Sequence, residues 1–292
     1  MKITRMLIDY SALCYQVYYG FVAKDKDLEN MEDKIQYFNY MMITKILQIQ
    51  KLFDPNEVII CNDHKSWRKE VFPYYKAQRE LKRIKDPLET ETIYACKSKA
   101  LEILKDMNYK IMCVESCEAD DIIAFLATKY KDDRVIIISS DKDFQQLTSE
   151  NIILYSSLKN EVLNCEDKER FTIELVLRGD TSDGIPNVLS DDDTFIDTSK
   201  KQKSLTKVKI NEVLSMGIDN YCKKDNLFAK NYDRNKKLIL LNENYIPKNI
   251  WNSMEVEINN INKNFKRKSL FEIQSYLESK NIYITNDVQY LG

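Results

Sequence analysis

Five short apolar runs punctuate the first 155 residues of the chain, and stretches of helical period lie between them. Arg5-Met-Leu-Ile-Asp9, Glu57-Val-Ile-Ile-Cys-Asn-Asp63, Lys110-Ile-Met-Cys-Val114, Val135-Ile-Ile-Ile138 and Ile152-Ile-Leu-Tyr155 are rich in β-branched residues and bounded by polar ones. Runs of this length and composition predict buried strands. Ser11 to Tyr19 has helical spacing. Ile35 to Phe53 carries apolar residues at 35, 38, 42, 43, 46, 47, 49 and 53, until Asp54-Pro-Asn stops it. A further helix opens at Glu115-Ser116, with Ser116 the expected N-cap, and another covers Phe171 to Arg178. Strands alternating with helices predict a parallel, right-handed α/β sheet. Glycine and proline in Arg178-Gly-Asp-Thr-Ser-Asp-Gly-Ile-Pro186 mark a boundary near residue 180. From Lys207 to about residue 280 the pattern is helical, with breaks at Gly217 and Pro247. The expected organisation is an α/β domain over 1–180 and a mainly helical domain over 181–292.

The residues at the ends of these runs carry the chemistry. The first run ends in Asp9 and the second in Asp63. The fourth leads through Ser139-Ser140 to Asp141-Lys-Asp143, and the third continues to Glu118-Ala-Asp120-Asp121. Ligands of open α/β sheets bind beyond the carboxyl ends of the strands, so these acids are expected on one edge. Two carboxylates ~4 Å apart repel by roughly 4 kcal/mol at an effective dielectric of 20. Convergence therefore calls for a cation, and oxygen ligands point to a hard divalent metal. Singly, each acid has a plainer reading. Glu118, Asp120 and Asp121 suit a first helical turn, and Asp63 and Asp141 suit loops or caps. Recurrence at four strand ends favours a shared site. Asp180 and Asp183 add a Gly-Asp-x-x-Asp turn, a weak signal alone.

Residues 64–85 differ in kind. Lys65, Arg68, Lys69, Lys76, Arg79, Lys82, Arg83 and Lys85 stand against two acids, with Trp67, Phe72, Tyr74 and Tyr75 interleaved. Bases neutralise phosphates and aromatics stack on unpaired bases, so the segment suits single-stranded nucleic acid. A solvated basic helix with a few core aromatics is the plainer reading. Pro73 and Pro87 bracket the segment, in keeping with an arch. Asp191 to Asp197 and the five lysines of 200–209 read as an exposed loop, its basic half suited to a duplex backbone.

Composition narrows the chemistry further. Net charge is −2 over 292 residues, so nucleic acid would be engaged by local patches. His64 is the one histidine, which argues against Ser-His-Asp, Cys-His and multi-histidine metal chemistry. Seven cysteines form no C-x-x-C pair, so reduced thiols are expected. No run approaches the ~18 apolar residues of a membrane span, and no leader precedes the first strand; a cytoplasmic protein is expected, in the host cytoplasm if phage-encoded.

Asp9, Asp63, Glu118-Ala-Asp-Asp121, Ser140-Asp-Lys-Asp143 and Gly179-Asp-Thr-Ser-Asp183, in that order, resemble the flap endonuclease / 5′→3′ exonuclease family, and most closely its phage branch. Asn242-Glu-Asn-Tyr-Ile-Pro-Lys-Asn-Ile250 is similar to that branch as well. The resemblance implies a PIN-like parallel-sheet core, a helical arch at about 64–90 and a C-terminal helical domain containing a variant helix-turn-helix. It implies two Mg2+ ions, with Mn2+ a possible substitute. Asp9, Asp63, Glu118, Asp120 and Asp141 would surround the first. Asp121, Asp143, Asp180 and Asp183 would serve the second, partly through water. Lys76 would contact the scissile phosphate with Arg79 nearby. Arg68 is a further expected phosphate contact, and Lys69, Tyr75, Lys82 and Arg83 complete the expected nucleic-acid-binding set. Many members carry a Gly-x-Gly hairpin that binds duplex and a monovalent cation. Here Gly184-Ile-Pro-Asn-Val-Leu stands instead, so a different duplex grip is expected and a potassium site is in doubt.

The implied activity is removal of RNA primers or 5′ flaps from duplex DNA during lagging-strand replication. Substrates would be 5′-flapped or nicked DNA and RNA–DNA duplex. A single-stranded-DNA-binding protein is the expected partner, and a monomer the expected state. Two alternatives differ in class. Asp141-x-Asp143 after an apolar strand suits a haloacid-dehalogenase-type phosphatase, but Gln145 follows where that family has Thr or Val, and Asp9 is followed by Ser11 rather than a second Asp. A non-catalytic DNA-structure-binding protein would need no acids, yet no motif acid is missing.

Overall fold

Pairing of the apolar runs builds one sheet. The computed structural model describes residues 2–80, 86–284 and 288–290. Strands β1 (Thr4–Asp9), β2 (Glu57–Cys61), β3 (Lys110–Met112), β4 (Arg134–Ile138) and β5 (Ile152–Ser156) are parallel, and a two-residue β6 (Glu161–Val162) adds antiparallel to β5. Their order is β3-β2-β1-β4-β5-β6. Leu7 lies opposite both Ile59 and Ile137, and all three are fully buried. The chain runs outward from β1 to β2 and β3 on one side, then returns to β4 on the other. β1 is thus the switch point where such sheets open a crevice at the carboxyl ends.

Two details of the strand ends differ from expectation. β2 stops at Cys61 and β4 at Ile138, so Asp63 stands two residues beyond its strand and Asp141 three. β3 ends at Met112, two residues early. Asp9 alone is the last residue of its strand. The acids therefore sit on turns that leave the sheet, where a backbone can bend them toward one another.

Helices cover both faces. Helices α1 (Tyr10–Gly20) and α2 (Met31–Phe53) lie with α4 (Pro87–Lys105) on the face of Met6, Ile8, Val58, Ile60, Ile136 and Ile138. α2 starts a turn before its apolar period because Asn30 caps it, accepting from the Asp33 amide at 2.9 Å. α4 is absent from the sequence reading. Its buried face is Thr92, Ile93, Cys96, Ala100, Ile103 and Leu104, interrupted along the chain by charged and polar residues. α5 (Ala119–Lys129) packs on β1 and β2. Its N-cap is Glu118 rather than Ser116, which occupies the left-handed region at φ 61°.

The remaining helices are α3 (Arg68–Val71), α6 (Lys168–Arg178), α7 (Lys207–Met216), α8 (Ile218–Lys224), α9 (Asn226–Ile239), α10 (Lys248–Asn264) and α11 (Leu270–Ser279). Packing groups the chain into two units. One holds 1–65, 87–164 and 249–292, and the other holds 66–86 and 165–248. The linear boundary expected at residue 180 follows chain order, whereas packing takes α6 into the second unit and returns α10 and α11 to the first. Ile273, Leu277 and Ile282 are buried in the first unit's core.

In the second unit residues 191–206 form no helix or strand and are exposed throughout 201–204, as expected of a loop, but the start of the loop is anchored. Buried Asn231 donates to the Val188 and Ser190 carbonyls at 3.0 and 2.9 Å, and buried Arg234 holds the Pro186 carbonyl at 2.7 Å and pairs with Asp192. Lys200 pairs with Asp193 at 2.6 Å. Asp191 to Asp193 are thus met by Lys200, Lys230 and Arg234.

Candidate functional site

At the carboxyl edge of the first unit's sheet, Asp9 is the pivot. It caps α1, accepting from the Ala12 amide at 3.0 Å, and takes the Ser139 hydroxyl at 2.9 Å on its other oxygen. Ser139 also accepts from the Asp141 amide at 3.1 Å, so one buried hydroxyl ties the ends of β1 and β4 together. Burial pushes the Asp9 carboxyl up to about 6. The Asp63 charge adds to the rise and the Asp141 charge adds less, against the Ala12 and Ser139 hydrogen bonds. The same field raises the buried Cys61 thiol, with burial as the main cause and Asp9 and Asp63 behind it. The fold therefore brings Asp9, Asp63 and Asp141 within electrostatic reach of one another.

Asp63 is exposed but held at both oxygens: Oδ1 accepts from the Ala119 amide at 2.9 Å, and Oδ2 accepts from the Ser11 hydroxyl. Asp141 caps the 3-10 turn Lys142–Leu147, accepting from the Asp143 amide at 2.9 Å. Glu118 and Asp121 form a reciprocal capping box; Asp121 is fully buried and accepts from the Glu118 amide at 3.1 Å. The cap reading thus holds for Asp121 and part of Glu118's capacity. Asp120 and Asp143 are half-buried on the same two turns. His64 uses Nδ1 to accept from the Ser116 amide at 3.1 Å, stabilising the turn before α5.

Among the described residues no three acid, cysteine or histidine side chains are already gathered into a metal shell. The donor set nonetheless fits a hard divalent cation. Asp9 has two neutral hydrogen-bond donors and two acidic neighbours, so its ionised form is disfavoured until positive charge arrives. Carboxylate oxygens are what Mg2+ or Mn2+ takes. Sequence reasoning missed Ser11 and Ser139, since a serine beside an acid carries no signal until the strands are paired.

The second unit handles its acid differently. Asp183 accepts the Tyr75 hydroxyl at 2.9 Å, pairs with Arg79, and lies 3.5 Å from the Lys76 ammonium. Its carbonyl accepts the Lys76 amide at 2.7 Å, Arg79 Nε reaches the Ser182 carbonyl at 3.1 Å, and Gln78 donates to the Thr181 carbonyl. Lys76 adopts φ 56°, and a Cβ on Gly184 would lie 3.1 Å from the Tyr74 carbonyl. Segment 74–79 is therefore clamped to 181–184 through both backbone and side chains. Asp180 takes the Ser182 amide at 2.7 Å and its backbone pairs both ways with Ile185. Asp183, expected as a metal ligand, already has two cations.

The expected nucleic-acid contacts separate here. Lys76 and Arg79 converge on Asp183, with Arg79 exposed. Lys69 is exposed and pairs with Glu80 at 2.6 Å. Arg68 corrects the expectation of a phosphate contact: it is 2% exposed, and its Nε donates to the Leu238 carbonyl at 2.8 Å. Trp67, Phe72 and Tyr75 are buried, the latter two in a cluster with Leu175, Ile185, Leu238 and Ile239. The interleaved aromatics thus serve the unit's core, as the plainer reading held. Lys82 and Arg83 lie outside the described residues.

Comparison with known proteins places these features. Residues 4–175 match the model of the 5′-3′ exonuclease, N-terminal resolvase-like domain. A 5′-3′ exonuclease of Buchnera aphidicola subsp. Schizaphis graminum is 31% identical over 196 residues, 63% of this chain and 64% of that protein; the match spans under two thirds of the relative's length. Ribonuclease H of Enterobacteria phage T4 is 26% identical over 260 residues, 83% of this chain and 85% of that one. The flap endonuclease of bacteriophage T5, solved as a complex with DNA and metal ions, superposes with a TM-score of 0.68 over 89% of this chain and 99% of its own, at 18% identity, a likeness of fold.

Proposed function

We propose that this chain, which belongs to the 5′-3′ exonuclease family, is a divalent-metal-dependent 5′ nuclease acting on flapped or nicked DNA and RNA–DNA duplex. The observation that carries this reading is Asp9 at the switch strand, its carboxyl raised by burial and then by the Asp63 and Asp141 charges, with the Ala12 amide and Ser139 hydroxyl as neutral donors. Asp9, Asp63, Glu118, Asp120 and Asp141 are the proposed ligands of a first ion. Asp121 and Asp143 are proposed to serve a second, partly through water, while Asp183 in its own unit is held by Lys76 and Arg79. Divalent ions held by these acids would supply the charge and Lewis acidity that phosphodiester hydrolysis needs.

The chain's own groups do the rest. Ser139 and the Ala119 amide orient Asp9 and Asp63. Lys76 and Arg79 are proposed to meet the phosphate, adding positive charge where negative charge grows in the transition state. Selection would come from shape, a free 5′ end beside duplex, since backbone contacts carry no base information. Primer or flap removal in lagging-strand replication, Mg2+ as the ion, a monomeric state, a cytoplasmic location and a single-stranded-DNA-binding partner complete the reading.

A 5′-labelled flapped duplex, incubated with magnesium or with chelator, tests it. Magnesium-dependent release of short 5′ products is expected, and Asp141→Asn should abolish release while binding persists. Near-normal turnover by that variant would remove Asp141 from the metal set. Binding without products would favour a DNA-structure binder, and phosphate release from small esters would favour a phosphatase.

A further inference from the structure

We propose that Lys97 and Ser11 act as a positioning pair for Asp63, the ammonium of Lys97 fixing the Ser11 hydroxyl and the hydroxyl holding the Asp63 carboxylate in one orientation. The inference rests on the metal-dependent reading above. Lys97 Nζ lies 2.7 Å from Ser11 Oγ, and Ser11 Oγ bonds in turn to Asp63 Oδ2. An ammonium has donors and no acceptor, so the serine oxygen must accept from Lys97. The single hydroxyl proton is then directed to Asp63. With Oδ1 on the Ala119 amide, both carboxylate oxygens are anchored, and the plane of the group is set.

Several contacts hold Lys97 in this role. Its helix α4 is pinned to α1 by the Tyr10 hydroxyl, which donates to the Lys97 carbonyl at 2.5 Å. The ammonium stands over the Tyr15 ring, 5.4 Å from its centroid. Among the described residues Lys97 makes no ion pair, although it is half-buried on a chain rich in acids. Its charge is committed to a serine. Burial pushes the Cys14 thiol up to about 12, the Lys97 charge pulls it down, and the Asp9 and Asp63 charges push it up, so all three lie within electrostatic reach of that thiol. Ser11 is two residues from Asp9 in the first turn of α1, which couples the orientations of the two acids through one backbone.

The arrangement parallels the outer partners of metal ligands, whose removal typically weakens metal binding or activity by about 10–100-fold. Lys97→Met keeps the stem and removes charge and donors; Ser11→Ala removes the link; Lys97→Arg keeps charge and donors. Mn2+ titration of the protein without nucleic acid, read by calorimetry, should show about tenfold weaker binding for Lys97→Met and Ser11→Ala and near-parental binding for Lys97→Arg. On flapped duplex the first two should lower kcat with KM little changed. The double variant should match Ser11→Ala alone, because both act through one chain. Unchanged Mn2+ binding in Lys97→Met and Ser11→Ala, or a rise in KM without loss of kcat, would overturn the proposal. So would additive effects in the double variant. Should the parent chain bind Mn2+ yet cut no flapped duplex, the nuclease reading fails while the titration still decides the positioning role.

Discussion

Asp9, buried at the end of β1, and Asp183, half-buried on a turn, are both held by hydrogen bonds, yet the protein treats their charges in opposite ways. Asp9 is surrounded by an amide, a hydroxyl and two other acids, and burial with those charges lifts its carboxyl to about 6. Asp183 is met by Lys76, Arg79 and the Tyr75 hydroxyl. Neutral donors orient a carboxylate without satisfying its charge, so Asp9 keeps its demand for a cation. Basic partners satisfy the charge, and Asp183 spends it on holding segment 74–79. An acid's identity in a motif therefore does not fix its use. The company it keeps does.

Breaking the first half of the comparison should have the largest effect. Asp9→Asn keeps one acceptor oxygen for the Ala12 amide, turns an NH2 toward Ser139 and removes the charge, and cleavage of flapped duplex should fall by at least roughly 10²–10³-fold. The same variant should raise the metal-free Tm at pH 7.5 by a few degrees, at about 2–4 °C per kcal/mol, because it deletes a disfavoured buried charge. A fall in Tm by scanning calorimetry would mean that Asp9 is a stabilising anion. The pH dependence follows from the same carboxyl. Its folded pKa exceeds the unfolded value, so its contribution to stability is present in acid and lost as pH rises toward 6. Metal-free protein should thus lose stability between pH 4 and pH 6, and added Mg2+ should stabilise it more at pH 7.5 than at pH 5.5. Equal Mg2+ shifts in thermal melts at both values would count against Asp9 as a ligand. Asp183→Asn should have the smallest effect. Loss of the two ion pairs, one with an exposed arginine, should cost about 1–2 kcal/mol in urea unfolding. A cost near zero would make the clamp incidental, and Asp183 would then resemble Asp9 more closely than its contacts imply.

The strands, their parallel direction and most helices could be read from the chain, because runs such as Val135 to Ile138 and the period of Ile35 to Phe53 record local burial directly. Helix α4 went unread although Ile93, Cys96, Ala100, Ile103 and Leu104 face the core at helical spacing, because charged and polar residues between them dilute the pattern. The acids were legible as a set, since Asp9, Asp63, Glu118 and Asp141 each follow a strand. Their separate roles were not. Asp121 looks like its neighbours in the chain, yet it is buried in a capping box with Glu118. Arg68 reads as one more base in a basic run, yet it is enclosed and bonded to the Leu238 carbonyl, 170 residues away.

The amino-acid sequence by itself determined an α/β sheet with acids at the carboxyl ends of its strands, because period and strand-end chemistry are local properties of the chain. Tertiary structure alone decided which charges stay uncompensated. Ser139 reaches Asp9 across 130 residues, Lys97 reaches Ser11 across 86, and Arg79 reaches Asp183 across 104. Electrostatic demand depends on distance in space, and no spacing along the chain encodes it.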